Sequence, residues 1–367
     1  MRGIVKTSSI PLGPALVSAS LTAMCTGKCL RKCMRIDIVS DRDAWERFRE
    51  THAPGALFQS WTWGDVIRHQ SLPLTRFGLY DESRLAGIFQ VVTVRARRGT
   101  YLHVRHGPII IGTNPEDWEL FITFLQNFAK NQGASFIRMN PPFEDTQTNR
   151  TLLCSFGMRP AAVHEVDAER CWVLDITPSE NSLLSGMRKT TRYEIKRAIK
   201  EGVIVEKSED PKGLQTFFDL YKQTATRQGF VPHQGIREEF DVFAKVHRAL
   251  LFTGVHEGKT VAAAIVLFMG NVAIYHHGAS VTSRIGVSYL VQWEAIREAK
   301  RRGMRVYNFW GIAPPGAQGH PWHGITLFKS GFGGREARTI HAHDLPLSPR
   351  YWVTRSVEWW ERKRRGY

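Results

Sequence analysis

The sequence predicts a mixed α/β protein of two tandem lobes of similar make. Three observations carry this. The chain has 367 residues, enough for two ordinary domains, and its 43% hydrophobic and 23% charged residues are the balance of a globular protein. A run of strands, then a helix, then a strand occurs once between residues 35 and 139 and again, in kind though not in sequence, between 171 and 309. Finally, the second unit ends on the stretch 305–334, RVYNFWGIAPPGAQGHPWHGITLFKSGFGG, where a strand breaks into a Gly/Pro loop. Loops held on rigid strands are where binding and chemistry concentrate.

The first unit reads in order. Residues 35–39 form a strand, and Ser40 or Asp41 caps a helix to about residue 51. After the Pro54-Gly55 loop, 58–70 is a second helix. Strands follow at 75–80, 85–94 and 101–104, then a buried run at 107–111. Residues 118–131 make an amphipathic helix with Leu120, Phe121, Phe124, Leu125 and Phe128 on one side. A buried strand at 135–139 stops at Pro141-Pro142.

The second unit has a strand at 171–175, helices at 180–187 and 189–200, and a strand at 203–206. Helices at 212–227 and 237–248 precede three strands, 249–256, 260–269 and 272–277, the last two joined at Gly270-Asn271. A helix at 288–302, closed by Gly303, leads to the strand 306–309. The chain ends in a basic, Trp-rich helix at 351–366. The organisation expected is an extension at 1–33, a first lobe at 34–165 completed by 342–367, and a second lobe at 166–341.

Lys and Arg outnumber Asp and Glu by 50 to 34, a formal net charge of +16. Such an excess suits a polyanionic partner, whether nucleic acid, anionic lipid or a phosphorylated ligand; the alternative is charge for solubility alone. Cys25, Cys29, Cys33, Cys154 and Cys171 fit no zinc spacing and read as reduced thiols. Residues 1–33 are a weak imitation of a signal peptide and read as a disordered extension before a natural start at Met34. No run reaches the length of a transmembrane helix. His276-His277, His320, His323, His341 and His343 raise a metal site, but adjacent histidines on a strand point to opposite faces, and no carboxylate or cysteine completes a set. No metal or cofactor is expected.

Several ordered motifs carry a resemblance. NFWGI and PWHGITLFKSGFGG, with YHHGAS (275–280), LVQWEAIREAKRRG (290–303), MRKTTRYEIKRA (187–198) and FQSWTWGDVIR (58–68), resemble in order and spacing the FemAB/FemX family of peptidoglycan-bridge aminoacyltransferases. The resemblance spans roughly residues 35 to 345. It implies two tandem lobes of the GCN5-related N-acetyltransferase fold, with the C-terminus returned to the first lobe. The helical arm that some members insert in the second lobe has no room here. It also implies aminoacyl-tRNA as donor, a UDP-linked or lipid-linked muropeptide as acceptor, and a cytoplasmic place with peripheral contact at the inner membrane surface.

Residues then take expected roles. Lys329 is the cation that would steady the developing oxyanion, Phe328 would pack the site, and Tyr275 would donate or relay a proton. The alternative for Lys329 is a surface lysine. Arg68 and Arg227, with Trp322, are the expected acceptor-binding residues; the resemblance puts a cation for the diphosphate at each arginine, and ordinary helix C-capping is the other reading. Arg188, Arg192, Lys196 and Lys200 recur every four residues, as a phosphate rail for tRNA or as a solvated face. Their helix would pack through Leu184, Thr191, Ile195 and Ile199. Glu116 and Asp117 come several residues later than the acid that the family tends to place after its Gly-Pro strand. An acyl-CoA N-acyltransferase on the same fold is the rival reading. It needs a pyrophosphate turn opening the helix at 288, where the chain offers only Arg284-Ile285-Gly286.

Overall fold

The computed structural model describes residues 34–164, 167–229, 231–316 and 319–365. The extension 1–33, with Cys25, Cys29 and Cys33, lies outside the described residues.

The chain forms two mixed sheets. It opens with β1 (Met34–Ile38) and α1 (Arg42–His52), whose cap is Asp41: its carboxylate accepts from the amides of Asp43 and Ala44. The expected single helix at 58–70 is a turn of 3-10 helix at Leu57–Gln59 followed by α2 (Trp61–His69), because the Ser60 hydroxyl accepts from the Trp63 amide and starts the helix there. Next come β2 (Leu74–Asp81), β3 (Arg84–Ala96), β4 (Gly99–Val104), β5 (Ile109–Ile110), α3 (Pro115–Asn131), β6 (Ala134–Met139), α4 (Gln147–Ser155) and β7 (Arg159–Pro160). Glu116 and Asp117 form the acidic first turn of α3. The polar sequence of α4 hid it from periodicity; Thr146 caps it through the Asn149 amide.

The second sheet opens with β8 (Arg170–Asp175), then α5 (Glu180–Gly186), α6 (Lys189–Lys200), β9 (Ile204–Ser208), α7 (Leu214–Gln228), α8 (Ile236–Ala244), β10 (Ala249–His256), β11 (Lys259–Met269), β12 (Val272–Ser280), α9 (Val287–Arg301), β13 (Val306–Gly311), α10 (His323–Ser330) and β14 (Arg335–Arg338). The helix expected to reach 248 stops at Ala244, since His247 takes a left-handed φ of 57°. The chain returns through β15 (His343–Pro346) and α11 (Arg350–Arg365).

The first sheet runs β1-β2-β3-β4-β6-β15-β7 with β5 on β3, and the second β14-β8-β13-β12-β11-β10-β9. β15 therefore carries the chain back into the first sheet, pairing with β6 at His343↔Met139. α11 follows it there: Tyr351 stacks obliquely on Phe136, and Glu358 accepts from Arg138.

Each lobe has its own core. In the first, Phe77, Phe89, Leu102 and Ile137 pack under α3. In the second, Leu250, Phe252, Val266 and Phe309 pack under α6 and α9. A third cluster joins the lobes, placing Phe58, Trp63, Val66 and Ile67 of the first against Phe240, Phe243 and Ile274 of the second. Burial of aromatics on this scale holds the two sheets as one body. The packing stripe of α6 is Thr191, Ile195 and Ala198; Ile199, expected in it, is exposed.

Candidate active site

Each sheet contains one pair of adjacent parallel strands that part at their C-terminal ends. In the second sheet, β12 and β13 pair only from Val272↔Val306 to Ile274↔Asn308, and then separate. In the first, β4 and β6 pair as far as Val104↔Met139. An asparagine steadies each parting: Asn308 accepts from the Trp310 amide at 2.8 Å, and Asn140 from the His106 amide at 2.9 Å. Trp310 and His106 both take left-handed φ, 68° and 47°, which costs free energy for a bulky residue. The two partings face each other across the junction, with the His106 and Trp310 rings 6.1 Å apart and Phe58 against both.

Lys329 occupies the second parting. It is 4% exposed, so it is not a surface lysine. Its Nζ donates to the Gly311 carbonyl at 2.5 Å and stands 5.9 Å from the centroid of the Tyr275 ring, near the outer limit of a cation–π contact. Among the described residues no carboxylate pairs with it. Burial lowers its pKa to about 7, opposed weakly by Cys171 on the neighbouring strand β8. A buried lysine that titrates near neutrality is poised between ammonium and amine, and so can donate a proton or stabilise an anion.

The surroundings are built for it. Tyr275 lies across Gly278, where a Cβ would run into its hydroxyl, and burial raises the pKa of that phenol. Phe328 packs edge-on to Tyr289 and Phe332. Trp322 covers Gly311: a Cβ there would sit 3.6 Å from the indole. Lys329, Phe328, Tyr275 and Trp322 are thus brought together.

The other expected residues lie on the helices α2 and α7 and on or at the start of α6. Arg68 is exposed in the last turn of α2, which packs on α8. Arg227 is exposed in the last turn of α7, its guanidinium 3.4 Å from the Ser280 hydroxyl at the end of β12. The four cations of the expected rail divide. Arg188 donates to the Leu327 carbonyl and the Ser330 hydroxyl of α10, at 3.2 and 3.1 Å. Arg192 donates to the Leu184, Ser185 and Met187 carbonyls and closes α5. Lys196 and Lys200 are exposed.

The histidine pair needs a correction. A β-bulge between Ile265 and Val266 of β11 adds one residue to β12, so His276 and His277 turn to the same side. A carboxylate does meet them: their Nε2 atoms lie 3.1 and 3.0 Å from one oxygen of Glu239. Burial works to raise the Glu239 pKa, but the two imidazoles win and hold it below the usual range. Burial lowers His277 to about 4, so its ring is neutral at pH 7. Among the described residues these three are the group able to hold a metal ion. The shared oxygen already accepts from both rings and so positions His276 against Trp310 and Trp63, while the buried His276 Nδ1 has no hydrogen-bond partner among the described residues. The bulge has no signature in the sequence, and Glu239 lies 37 residues from His276.

Sequence reasoning also missed the first parting. Arg105 stacks over Phe58 at 3.4 Å and pairs with the buried Asp167 at 2.6 Å. Burial opposes ionisation of Asp167, but Arg105 and the nearby His103 outweigh it and hold the carboxyl at about 2.

The start of α9 bears on the rival acyl-CoA reading. Gly286 precedes it, and the side chain of Glu194 from α6 lies against that glycine. A carboxylate at a helix N-terminus occupies the place where a pyrophosphate would be held.

Comparison with known proteins agrees with this fold. The FemAB family model matches residues 41–153, and the acetyltransferase (GNAT) domain model residues 185–320. A lipid II:glycine glycyltransferase of Staphylococcus aureus is 22% identical over 215 residues, 56% of this chain and 50% of that protein. The chain thus spans about half the length of the curated relatives it matches. The crystal structure of FemX superposes with a TM-score of 0.77 at 17% identity, over 87% of this chain and 99% of that one. A tandem GNAT protein from the clavulanic acid biosynthesis pathway superposes at 0.57 with 9% identity, over 86% of this chain and 99% of that one. These structures share the fold, two tandem GNAT-like lobes. The first lobe is thus matched by the FemAB family model and the second by the GNAT domain model, on a fold shared with FemX.

Proposed function

We propose that this protein is an acyltransferase that moves an amino acid from aminoacyl-tRNA to a peptide amine of a peptidoglycan precursor, UDP-linked or lipid-linked, on the cytoplasmic side of the membrane. The relative of known activity acts on lipid II with glycine. The observation that carries the reading is Lys329, a buried cation without a carboxylate partner among the described residues, at the parting of β12 and β13.

The reaction is an ester aminolysis. The acceptor amine nitrogen attacks the ester carbonyl carbon, the C–N bond forms, and the bond from carbon to the ribose oxygen breaks. The carbonyl oxygen gathers negative charge on the way, and the ribose oxygen leaves needing a proton. A desolvated ammonium held by Gly311 stabilises that charge far better than one in water. The Tyr275 ring, its centroid 5.9 Å from the Lys329 ammonium, would lie under that charge as a cation–π partner. Arg68 and Arg227 would receive the diphosphate of the acceptor, and Trp322 would wall the acceptor side. Lys196 and Lys200, with Arg188 and Arg192 behind them, would meet the tRNA backbone. Glu194 at the start of α9 argues against acyl-CoA as donor.

The test is incubation with a pool of labelled aminoacyl-tRNAs and both precursor types. Transfer of one label to a precursor is expected. Transfer of acetyl from acetyl-CoA, with none from tRNA, would overturn the reading.

A further inference from the structure

α11 covers the first lobe with one face and leaves the other bare. The covered face is Tyr351, Thr354 and Glu358; Tyr351 and Thr354 are buried, and Glu358 accepts from Arg138 at 2.8 Å. The bare face carries Trp352, Ser356, Trp359, Trp360 and Lys363, spaced as one stripe of a helix. Its three tryptophans are 47%, 56% and 55% exposed, and Val353 beside them is 64% exposed. Trp352, Arg355, Ser356, Trp359 and Trp360 line a shallow groove of about 450 Å³. Three large indoles on a terminal helix are not surface scatter; a contiguous exposed apolar patch marks a partner.

The charge on this face is one-sided. The helix holds Arg350, Arg355, Arg362, Lys363 and Arg364 against Glu358 and Glu361. Both acids are engaged, Glu358 by Arg138 and Glu361 by Arg98 at 3.5 Å. The Arg98 contact brings the exposed turn with Arg95 and Arg97 beside the helix, so the cationic field extends onto the β3–β4 hairpin. Cations lie over the rings: Lys363 on Trp359 at 5.3 Å, Arg364 on Trp360 at 4.9 Å and Arg159 on Trp352 at 4.8 Å. Indole and cation are held at one level, as the boundary between lipid headgroups and acyl chains requires. No helix among the described residues is long and apolar enough to cross a membrane.

We infer that the bare face of α11 is a docking surface for an anionic lipid bilayer, lying in the interface with its tryptophans inserted and its cations on the headgroups. The inference does not depend on the acceptor proposed above, because plain vesicles test it.

The experiment uses the full chain with sedimenting vesicles of phosphatidylcholine alone or mixed with phosphatidylglycerol. Binding to the mixed vesicles, weakened by salt, is expected. Brominated lipid should quench tryptophan fluorescence of the wild type and much less of W352S/W359S/W360S. That variant should lose at least about tenfold in vesicle affinity. R362Q/K363Q should lose about fivefold for each cation removed. These substitutions face solvent, so an unchanged melting temperature shows that the fold is kept. Equal binding to uncharged vesicles, or equal quenching of the triple variant, would overturn the inference. So would a concentration-dependent dimer that the triple variant abolishes, or tRNA binding that needs these tryptophans in the absence of lipid.

Discussion

The two strand partings share one design and opposite electrostatics. In the first lobe, Arg105 enters the parting with its counter-ion: Asp167 neutralises it, and Phe58 and Trp63 stack on the guanidinium. In the second lobe, Lys329 enters with a single carbonyl and a phenol ring for company. A paired charge is structure, since the two ions neutralise each other before any ligand arrives. A lone buried cation has a free-energy cost that the fold itself does not recover. On the function proposed above, this difference would assign the chemistry to the second lobe and the closing of the junction to the first.

The largest expected effect tests that contrast. Lys329→Met should lower the single-turnover rate by about 10²–10³ while leaving precursor binding nearly intact and raising the melting temperature. Arg105→Met should do the opposite. It strands the buried Asp167 carboxylate, so stability should fall by about 3 kcal/mol, with a smaller change in the rate of the folded fraction. Rapid-quench transfer and thermal denaturation separate the two. A Lys329→Met enzyme that transfers at the wild-type rate would erase the distinction.

Acidity offers the next cut. The folded Lys329 titrates near 7, against 10.5 when unfolded. Between those values the unfolded chain binds more protons, so this residue's cost to stability shrinks as pH rises from about 7 to about 10.5. If the ammonium is the active form, the wild-type rate relative to Lys329→Met should fall as pH rises through about 7. A ratio that climbs instead would make Lys329 a base. Lys329→Arg should keep its charge across this range and flatten the ratio.

Gly278→Ala should act more locally. Its methyl would displace the Tyr275 hydroxyl and so disturb the floor beneath Lys329, on only one side of the comparison. About a tenfold loss of rate is expected, of the size of a misplaced catalytic partner. Tyr275→Ala, which removes the ring that the methyl would meet, should make the added methyl harmless. Additive losses in the double variant would show that the glycine serves something else.

What was legible in the sequence follows from range. The strand meanders, the helices capped by Asp41 or closed by Gly202 and Gly303, and the motif around Lys329 are local patterns that a linear reading can see. Lys329, Phe328 and Trp322 were named from that motif and Tyr275 from the segment 275–280, and the fold brings them together. The Arg105–Asp167 pair was invisible because its partners lie 62 residues apart on different segments. The Glu239 cluster was invisible because it depends on a one-residue bulge that reverses the facing of His277. Ile199 was misread because period four drifts around a helix of 3.6 residues per turn; the buried stripe moves on to Ala198.

That same drift frames the smallest expected effect, which concerns how the second lobe meets its donor. If the lone cation serves aminoacyl-tRNA, a phosphate-binding surface should lie nearby, and α6 is the candidate. Its four cations are not equivalent. Arg192 is fixed by three backbone carbonyls and Arg188 ties α6 to α10, which carries Lys329. Among the described residues Lys196 and Lys200 have no such bonds and are exposed, so each can meet a phosphate without breaking anything. Lys196→Gln and Lys200→Gln should each reduce the slope of log affinity against log salt by about one, through one fewer counterion released, with no change in stability. Arg192→Gln should lower stability by about 1 kcal/mol or more by leaving the end of α5 unsatisfied, and change the slope less. Fluorescence titration of labelled tRNA at several salt concentrations reads the slopes. Unchanged slopes in both lysine variants would return α6 to a solvated face, and the donor path would have to be sought elsewhere on the second lobe.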